Sequence, residues 1–354
     1  MDGRALTRVA RQAWPVVATT LGALVLLALL ILAAGNDPLE ALGVFLSTTV
    51  GSVDGVLEAV VRSIPLTIVG LGMAVAFRAR MFNVGADGQL IVGAIAALAV
   101  AQAFPDLTGW LLLPLFLTAA MLGGGLWGGI AGWLRARVNA NEIIVTIMLN
   151  YVAIQLLSWT IRGPLQESAK MFPRSNPIPD SILFDPLIAG SRVHPGLLIA
   201  LAATVVLSFL FARSRFGFRL SAVGESRAAA RYGGTDDGRI ILLSMLVSGA
   251  FAGLAGAIEI AGIHGRLQDG FATGIGITAI AVALLARLNP LYVPLAALLF
   301  GFLSVGSGGL QRELGIPFPL VSIIEGIVIF GFLVVTYLRS RGGKIAAVSE
   351  AGHG

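Results

Sequence analysis

The most evident pattern in the sequence is an alternation between long apolar segments and short connections that hold most of the charged residues. A helix needs about 20 residues to cross the ~30 Å hydrocarbon core of a bilayer, and these segments have about that length. The pattern predicts an all-α integral membrane protein, a polytopic bundle of about ten transmembrane helices that form one transmembrane domain over residues 1–354. One or two of the spans could be half-helices. The predicted spans are Trp14–Ala34, Glu58–Phe77, Phe82–Phe104, Trp110–Leu134, Glu142–Ile161, Pro195–Phe211, Ile240–Ile263, Phe271–Ala286, Leu291–Leu310 and Pro317–Leu338.

The glycines inside these spans predict close packing between helices. The chain has 45 glycines and is 56% hydrophobic, with only 12% charged residues. Gly123–Gly128 fits the pattern G-x-G-x-x-G, but it lies within an apolar span, where we interpret it as a packing surface and not as a dinucleotide site. Gly128 and Gly132, like Gly249 and Gly253, repeat the small-xxx-small spacing that lets membrane helices approach closely.

The distribution of basic residues predicts the orientation. With the N-terminus inside, the cytoplasmic connections and tails hold 17 of the 24 Lys and Arg residues. Cytoplasmic loops are the ones enriched in Lys and Arg, so we expect both termini in the cytoplasm. The N-terminal apolar run is too long for a signal-peptide core, and we interpret it as a retained span.

Two connections stand out by length. Residues 213–239 carry six arginines on the predicted inner side. Within them, Glu225–Arg231 is predicted to form a short helix that Gly233 and Gly234 end. This helix could receive a cytoplasmic partner, or the segment could be a solvated loop; the residues alone favour neither. The outer connection, residues 162–194, is rich in proline, and Pro164, Pro173, Pro177 and Pro179 exclude regular helix through much of it. It is either a docking surface or an irregular cap.

Several classes of function find no support in the residues. There is no cysteine, and the three histidines are far apart, so we expect neither disulfides nor a metal site. The chain has no phosphate-binding G-x-x-x-x-G-K-[ST] loop and no nucleophile–base pair, so we expect no catalytic residue and no cofactor in this chain. The basic residues lie at span ends, where they set orientation, and do not indicate nucleic-acid binding.

Polar residues inside the predicted spans are the candidates for a substrate pathway, because such groups are costly in a membrane. Three are acidic: Asp87, Glu259 and Glu325. Each could be a structural group instead, and we favour this interpretation for all three. Glu259 and Glu325 would be paired groups, and hydrogen bonds between Asp87 or Gln89 and neighbouring helix ends would tie the bundle together. Asn83–Gln89 suits a broken or distorted helix. The full candidate set is Phe82, Asn83, Asp87, Gln89, Asn150, Tyr151, Gln155, Glu259 and Glu325.

Four segments resemble a known family. F-N-V-G-A-D-G-Q at residues 82–89 is similar to the F-N-I-G-x-E-G-Q signature of bacterial ABC-transporter permeases of the branched-chain amino acid, ribose and nucleoside superfamily. N-E-I-I-V-T-I-M-L-N-Y-V-A at 141–153 resembles its nucleoside and simple-sugar branch. V-G-E-S-R-A-A-A-R-Y-G-G at 223–234 resembles its coupling loop, and residues 276–290 match a further block. Departures are modest: Asp87 replaces the usual Glu, Glu225 or Ser226 the usual Asn, and Gly234-Thr235 the usual Gly-Ile.

The resemblance implies one permease half of an importer in the bacterial inner membrane, with nucleosides as cargo. It also implies a second, related permease in a heterodimer, two ATPase subunits that hold the ATP and magnesium, and an extracytoplasmic binding lipoprotein. The coupling loop would contact the ATPase through Gly224, Glu225, Arg227, Ala229, Ala230, Arg231, Tyr232 and Gly233.

Alternatives remain open at this stage. Ribose, other simple sugars or branched-chain amino acids could replace nucleosides, because the cargo-compatible set (Phe82, Asn83, Asn150, Tyr151 and Gln155) offers stacking and hydrogen-bonding groups that sugars would also use. A proton-coupled carrier would use the intramembrane carboxylates and would work without an ATPase. A membrane enzyme or a channel explains the pattern less well.

Overall fold

The computed structural model describes residues 22, 25–271, 274–317, 320, 323, 326, 327, 331 and 334. Within these residues the chain is helical, and two isolated bridges provide the β-type pairing. The predicted all-α class is therefore confirmed. The α-helices of the described residues are α1 (Val25–Ala33), α2 (Pro38–Thr48), α3 (Val53–Arg78), α4 (Ala86–Ala103), α5 (Gly109–Val138), α6 (Glu142–Arg162), α7 (Gly196–Arg213), α8 (Arg215–Glu225), α9 (Arg227–Tyr232), α10 (Asp237–Glu259), α11 (Ile275–Leu285) and α12 (Val293–Leu314).

Seven helices of the described residues are long and apolar enough to cross a membrane: α3 to α7, α10 with a π-helical extension to His264, and α12 with the 3-10 turn before it. They correspond to seven of the ten predicted spans. The span predicted at Phe271–Ala286 is shorter, because α11 has 11 residues and covers about 16 Å, roughly half of the hydrocarbon core. This confirms that a half-helix occurs. The start of Trp14–Ala34 and most of Pro317–Leu338 lie outside the described residues.

The chain divides into two compact units, residues 1–59 with 302–354 and residues 60–301. In the first unit, α1 and α2 form a pair bent by 103°. Asp37 caps α2 by accepting a hydrogen bond from the Leu39 N–H at 2.7 Å. A small apolar core holds this unit together, formed by Ile31, Ala41, Leu310 and Ile316.

In the second unit, α4, α5 and α10 pack against one another through glycines. A Cβ on Gly124 would lie 2.7 Å from the Gly253 Cα, and one on Gly128 would lie 2.7 Å from the Met245 carbonyl oxygen. Real Cβ atoms do not come this close, so these positions need glycine for the helices to approach. The predicted packing role of the glycine repeats is confirmed.

The tight turn between α5 and α6 follows from two asparagines. Asn139 adopts the left-handed conformation (φ 53°) at the end of α5, which asparagine tolerates better than most residues. Asn141 then caps α6, because its Oδ1 accepts hydrogen bonds from the Ile143 and Ile144 amides at 3.0 and 3.4 Å. The N-E-I-I motif is thus a helix start.

The outer connection has no regular helix beyond the 3-10 turn Asp180–Ile182, as its prolines predicted. It is attached to the residues after α10 by backbone hydrogen bonds of 2.9 Å, from Ser175 N to Leu267 O, from Ile178 N to Gly265 O and from Phe184 N to Ala261 O. Arg162 also pairs with Asp269. The connection is therefore a docked cap on the end of α10.

Candidate functional site

The polar candidates around residue 83 lie at the turn between α3 and α4. Helix α3 ends with Arg80 in the left-handed region (φ 54°), where the Met81 N–H reaches back to the Ala76 carbonyl at 3.0 Å. Residues 81–85 are not helical, and α4 begins at Ala86 instead of at the predicted Phe82. The predicted break in the helix is confirmed.

Two buried amide side chains hold this turn. Asn83 Nδ2 donates to Gln89 Oε1 at 2.8 Å, and Gln89 Nε2 donates back to Asn83 Oδ1 at 2.9 Å. Asn83 Nδ2 also donates to Ser248 Oγ on α10 at 2.9 Å, and its Oδ1 accepts from the Gly85 N–H at 3.1 Å. Both side chains are at most 1% exposed, so their hydrogen-bonding groups are occupied by the protein.

Asn150 fixes the same turn from α6. Its Oδ1 accepts from the Gly88 N–H at 2.8 Å, and its Nδ2 donates to the Val84 carbonyl at 2.9 Å. The side chain therefore supplies hydrogen-bond partners both to the non-helical segment before α4 and to the first turn of α4. The geometry assigns Asn150 to interhelical bonding.

Asp87 connects α4 with the short helix α11. Its Oδ1 accepts a hydrogen bond from the Gly276 backbone N–H at 2.7 Å. Gly276 is the second residue of α11, so the carboxylate binds at the N-terminal end of a neighbouring helix. The favoured interpretation of Asp87, a hydrogen bond to a neighbouring helix end, is confirmed, whereas Gln89 bonds within the turn.

The other acidic candidates lie elsewhere. Glu259 is at the end of α10, 8% exposed, with an oxygen 3.4 Å from His264 Nε2. His264 is the last residue of the π-helical extension and packs edge-on against Phe271. Glu325 lies outside the described residues.

Three candidates have exposed side chains in this chain. Phe82 is 51% exposed and Tyr151 63% exposed, and Gln155, one turn after Tyr151 on α6, is exposed as well. They combine two aromatic rings with an amide. Unlike Asn83 and Gln89, they present these groups outward.

The predicted coupling helix needs a correction. Glu225 is the last residue of α8, and the helix that was predicted to begin there begins at Arg227. The chain breaks at Ser226, which is extended and accepts a hydrogen bond from the Ala229 N–H with its side chain at 3.2 Å. A serine is among the strongest N-caps, so it starts a new helix where alanine content alone suggested a continuous one. Gly233 and Gly234 end α9 as predicted.

The residues of α9 divide into anchors and exposed groups. Arg231 donates two hydrogen bonds to Asp237 at 2.5 and 2.8 Å, which joins α9 to α10. Gly224 and Ala230 are buried. By contrast, Tyr232 is 97% exposed, and Glu225, Ala229 and Gly233 are also exposed.

Three participants were not predicted from sequence: Ser248, Gly276 and His194. Ser248 and Gly276 carry no local signal, because their importance comes from partners more than 160 positions away. His194 is 1% exposed, accepts from the Gly196 N–H at 3.2 Å and stacks on Phe184. Burial lowers the pKa of His194, the nearby Glu259 opposes this shift and Arg192 adds to it.

Within the described residues, no group of three His, Cys, Asp or Glu side chains could hold a metal ion. A bundle of long apolar helices, packed through glycines and held by buried amides, defines a multi-pass membrane protein.

Residues 55–335 match the family described as branched-chain amino acid transport system / permease component, and the chain belongs to this family of ABC-transporter permeases. It is 39% identical to the glucose ABC transporter permease protein TsgB13 of Haloferax volcanii, over 92% of this chain and 88% of the relative. It is 37% identical to the guanosine ABC transporter permease protein NupP of Bacillus subtilis, over 94% and 95%. It is 32% identical to the nucleoside ABC transporter permease protein NupB of Lactococcus lactis, over 92% and 91%. The resemblance in the sequence motifs is thereby confirmed.

Each of these three organisms also has a second relative, less similar to this chain at 26% to 28% identity. ABC-importer permeases of this family act with ATPase subunits and substrate-binding partners.

Proposed function

We propose that this chain forms half of the translocation pathway of a nucleoside importer in the bacterial inner membrane, with both termini in the cytoplasm. The observation that carries the cargo assignment is the similarity over more than nine-tenths of the chain to the guanosine and nucleoside permeases. The orientation rests on the basic residues, which concentrate in the connections assigned to the inner side.

A second candidate is a simple-sugar permease. The glucose relative has the highest of the three identities, 39%, and a neutral polyhydroxyl compound makes demands similar to those of the ribose part of a nucleoside. Nucleosides differ by their aromatic base, for which exposed aromatic rings are the complementary groups.

Within the candidate set, Phe82, Tyr151 and Gln155 are proposed to face the cargo. Their exposed side chains are free of the buried network that occupies Asn83 and Gln89. Asn150 and Asp87 support the pathway from behind through backbone contacts. Glu259, and Glu325 beyond the described residues, keep the role of pathway candidates.

Coupling to ATP hydrolysis is proposed to run through α9. The exposed Glu225, Ala229, Tyr232 and Gly233 would form the contact with the ATPase, with Arg227 beside them, whereas Gly224, Ala230 and Arg231 fix the helix to the bundle. In this proposal ATP and magnesium bind to the partner subunits, and this chain is not catalytic.

The remaining partners follow from the same assembly. The second subunit is proposed to be a different, homologous permease, because three relatives come from organisms that each have a second, less similar one. The docked outer connection would receive the binding lipoprotein. A cleft of about 560 Å³ between the end of α4 and Asn176–Asp180 offers it a recess.

The test is ATPase activity in liposomes that contain this chain with its neighbouring permease, ATPase and binding-protein subunits. We expect stimulation by binding protein loaded with a nucleoside and none with glucose, ribose or branched-chain amino acids. Stimulation by a sugar or an amino acid would retain the architecture and overturn the nucleoside assignment. Transport by the isolated chain on a proton gradient would overturn the ATPase-driven mechanism itself.

A separate variant tests the coupling contact. Ala229→Glu places a larger, charged side chain on the exposed face of α9, so we expect the ATPase subunits to be lost on purification of the complex. Ala189→Glu is the matched control, because it makes the same change at an exposed alanine of the outer connection. Equal recovery of ATPase with both variants would exclude α9 as the contact.

A further inference from the structure

The contact between Asp87 and α11 brings the first turns of two helices together. Asp87 is the second residue of α4, and Gly276 is the second residue of α11. Helix α11 follows Gly274, which is left-handed (φ 87°) and has no side chain with which to cap the helix. The first amides of a helix have no partner within it. For α11, a carboxylate from another helix supplies one.

The two helices touch too closely for any side chain at position 276. A Cβ on Gly276 would lie 2.7 Å from the Asp87 backbone nitrogen and 2.9 Å from the Asp87 Cγ. The absence of a side chain at position 276 therefore allows Asp87 to reach the backbone of α11.

Helix α11 differs from the spans in how it is connected. Left-handed residues stand on both sides of it, Gly270 and Gly274 before and Arg287 and Leu288 after. Its 11 residues form about half of a span. On its apolar side, Val282 packs near Gly70 of α3. A short helix between two sharp turns has few backbone constraints, so its position depends on contacts of this kind.

The Asp87 side of the contact is held in place by other parts of the bundle. The turn that precedes Asp87 is held by the Asn83–Gln89 pair, by Ser248 of α10 and by Asn150 of α6. Asp87 thus joins a short, turn-bounded helix to a part of the bundle that two other helices, α6 and α10, hold in place.

We propose that Asp87 is a positioning residue that caps α11 from outside and holds this half-length helix in its seated position. Its substitution then affects the protein by releasing α11, not by removing a contact with cargo. This inference concerns the chain itself and does not depend on which compound is transported.

The natural absence of cysteine permits a direct test in the full chain in membranes, because one introduced thiol is the only reactive one. Ala279→Cys places it on the buried side of α11, where the native residue is 0% exposed. Ile277→Cys is the matched control, because Ile277 is 63% exposed. The measurement is the rate of labelling by a membrane-permeable maleimide.

We expect Asp87→Leu to raise the labelling rate of the Ala279→Cys variant by about tenfold or more, since it removes the acceptor of a hydrogen bond to a charged group. Labelling of the Ile277→Cys variant should change less than about twofold. Asp87→Glu should restore slow labelling, because it retains a carboxylate. Asp87→Asn, which keeps the shape and an oxygen acceptor, should have an intermediate effect and serves if Asp87→Leu does not fold.

Gly276→Ala tests the same contact from the other helix. It should also accelerate labelling at position 279, and its combination with Asp87→Leu should be no faster than the stronger single variant, since residues in one contact are not additive. Unchanged labelling in both Asp87→Leu and Asp87→Asn would overturn the proposal. So would an equal increase at positions 277 and 279, because that would indicate general unfolding.

Discussion

The turn before α4 and the α8–α9 segment differ in the exposure of their polar side chains. At the turn, Asn83 and Gln89 are buried, and they form hydrogen bonds with each other, with Ser248 and with the backbone. In α9, one polar side chain, Arg231, forms an internal ion pair, whereas Tyr232 at the end of the helix is 97% exposed.

A polar residue can contribute to stability or to partner binding, and residue type alone does not distinguish these two roles. Intramembrane polarity marked the turn as a candidate pathway, but most of its polar atoms hold helices together. The α9 segment has few buried polar side chains, so its exposed surface is available to a partner. We therefore expect stability effects to be largest at the turn and effects on partner binding to be largest at α9.

The largest loss of stability is expected for Asn83→Leu. It leaves the buried Gln89 amide and the Ser248 hydroxyl without their partner, which costs about 3 kcal/mol of unfolding free energy. Unfolding in mixed micelles with increasing denaturing detergent measures this. The double variant Asn83→Leu/Gln89→Leu removes both amides and should recover part of the loss. A double variant that is less stable than the single one would show that the amide pair is not the cause.

A smaller loss is expected for Arg231→Ala. Its side chain is 69% exposed, and water screens an exposed ion pair, so the pair contributes little to stability. The same variant should weaken ATPase recovery more than it weakens folding, because α9 loses its attachment to α10. Arg231→Lys keeps the charge without the two-pronged geometry and should lie between. A loss of unfolding free energy as large as that of Asn83→Leu would contradict the proposed difference between the two regions.

A further test concerns His194, which is buried like the turn but lacks a partner for Nε2 within the described residues. Burial lowers its pKa, so the unfolded chain binds a proton more readily than the folded one. Its contribution to stability is therefore present above a pH of about 6.5 and is lost as pH falls through that value and on to the lower pKa of the folded state. His194→Phe should remove this dependence. We expect the Tm of the native chain to fall by about 2 °C more than that of the variant between pH 7.5 and pH 5.5. Parallel curves would contradict the assignment.

The smallest effect on stability is expected for Tyr232→Ala, within about 0.5 kcal/mol, because the side chain is almost fully exposed. Its effect on ATPase binding should nevertheless be among the largest. Thermal unfolding and ATPase co-purification on the same preparation measure both. Phe218→Ala on α8 is the control for the loss of an exposed aromatic ring, because Phe218 is 73% exposed. An equal loss of ATPase with this control would show that the contact extends beyond α9.

Periodicity and composition predicted the helical class and the glycine contacts, because these depend on local length and on the small size of residues such as Gly124 and Gly128. Local signals also predicted the break before α4 and the end of α9. Sequence did not predict that α9 begins at Arg227, since the preference of Ser226 for capping competed with the surrounding alanines. Nor could it predict that Asp87 meets Gly276, 189 positions away, because that contact exists only once four helices have packed.

The continuity of α10 has a mechanical consequence. At one end, Asp237 accepts hydrogen bonds from Arg231 of α9. Beyond the other end, the Ala261 and Gly265 carbonyls accept hydrogen bonds from backbone N–H groups of the outer connection. Between them, Gly124 of α5 and Gly249 and Gly253 of α10 bring backbone against backbone, so little side-chain length is available there to absorb a shift. A push on α9 would therefore travel along α10 as one stiff rod as far as Glu259, and only the π-helical turn to His264 separates that rod from the surface on the far side.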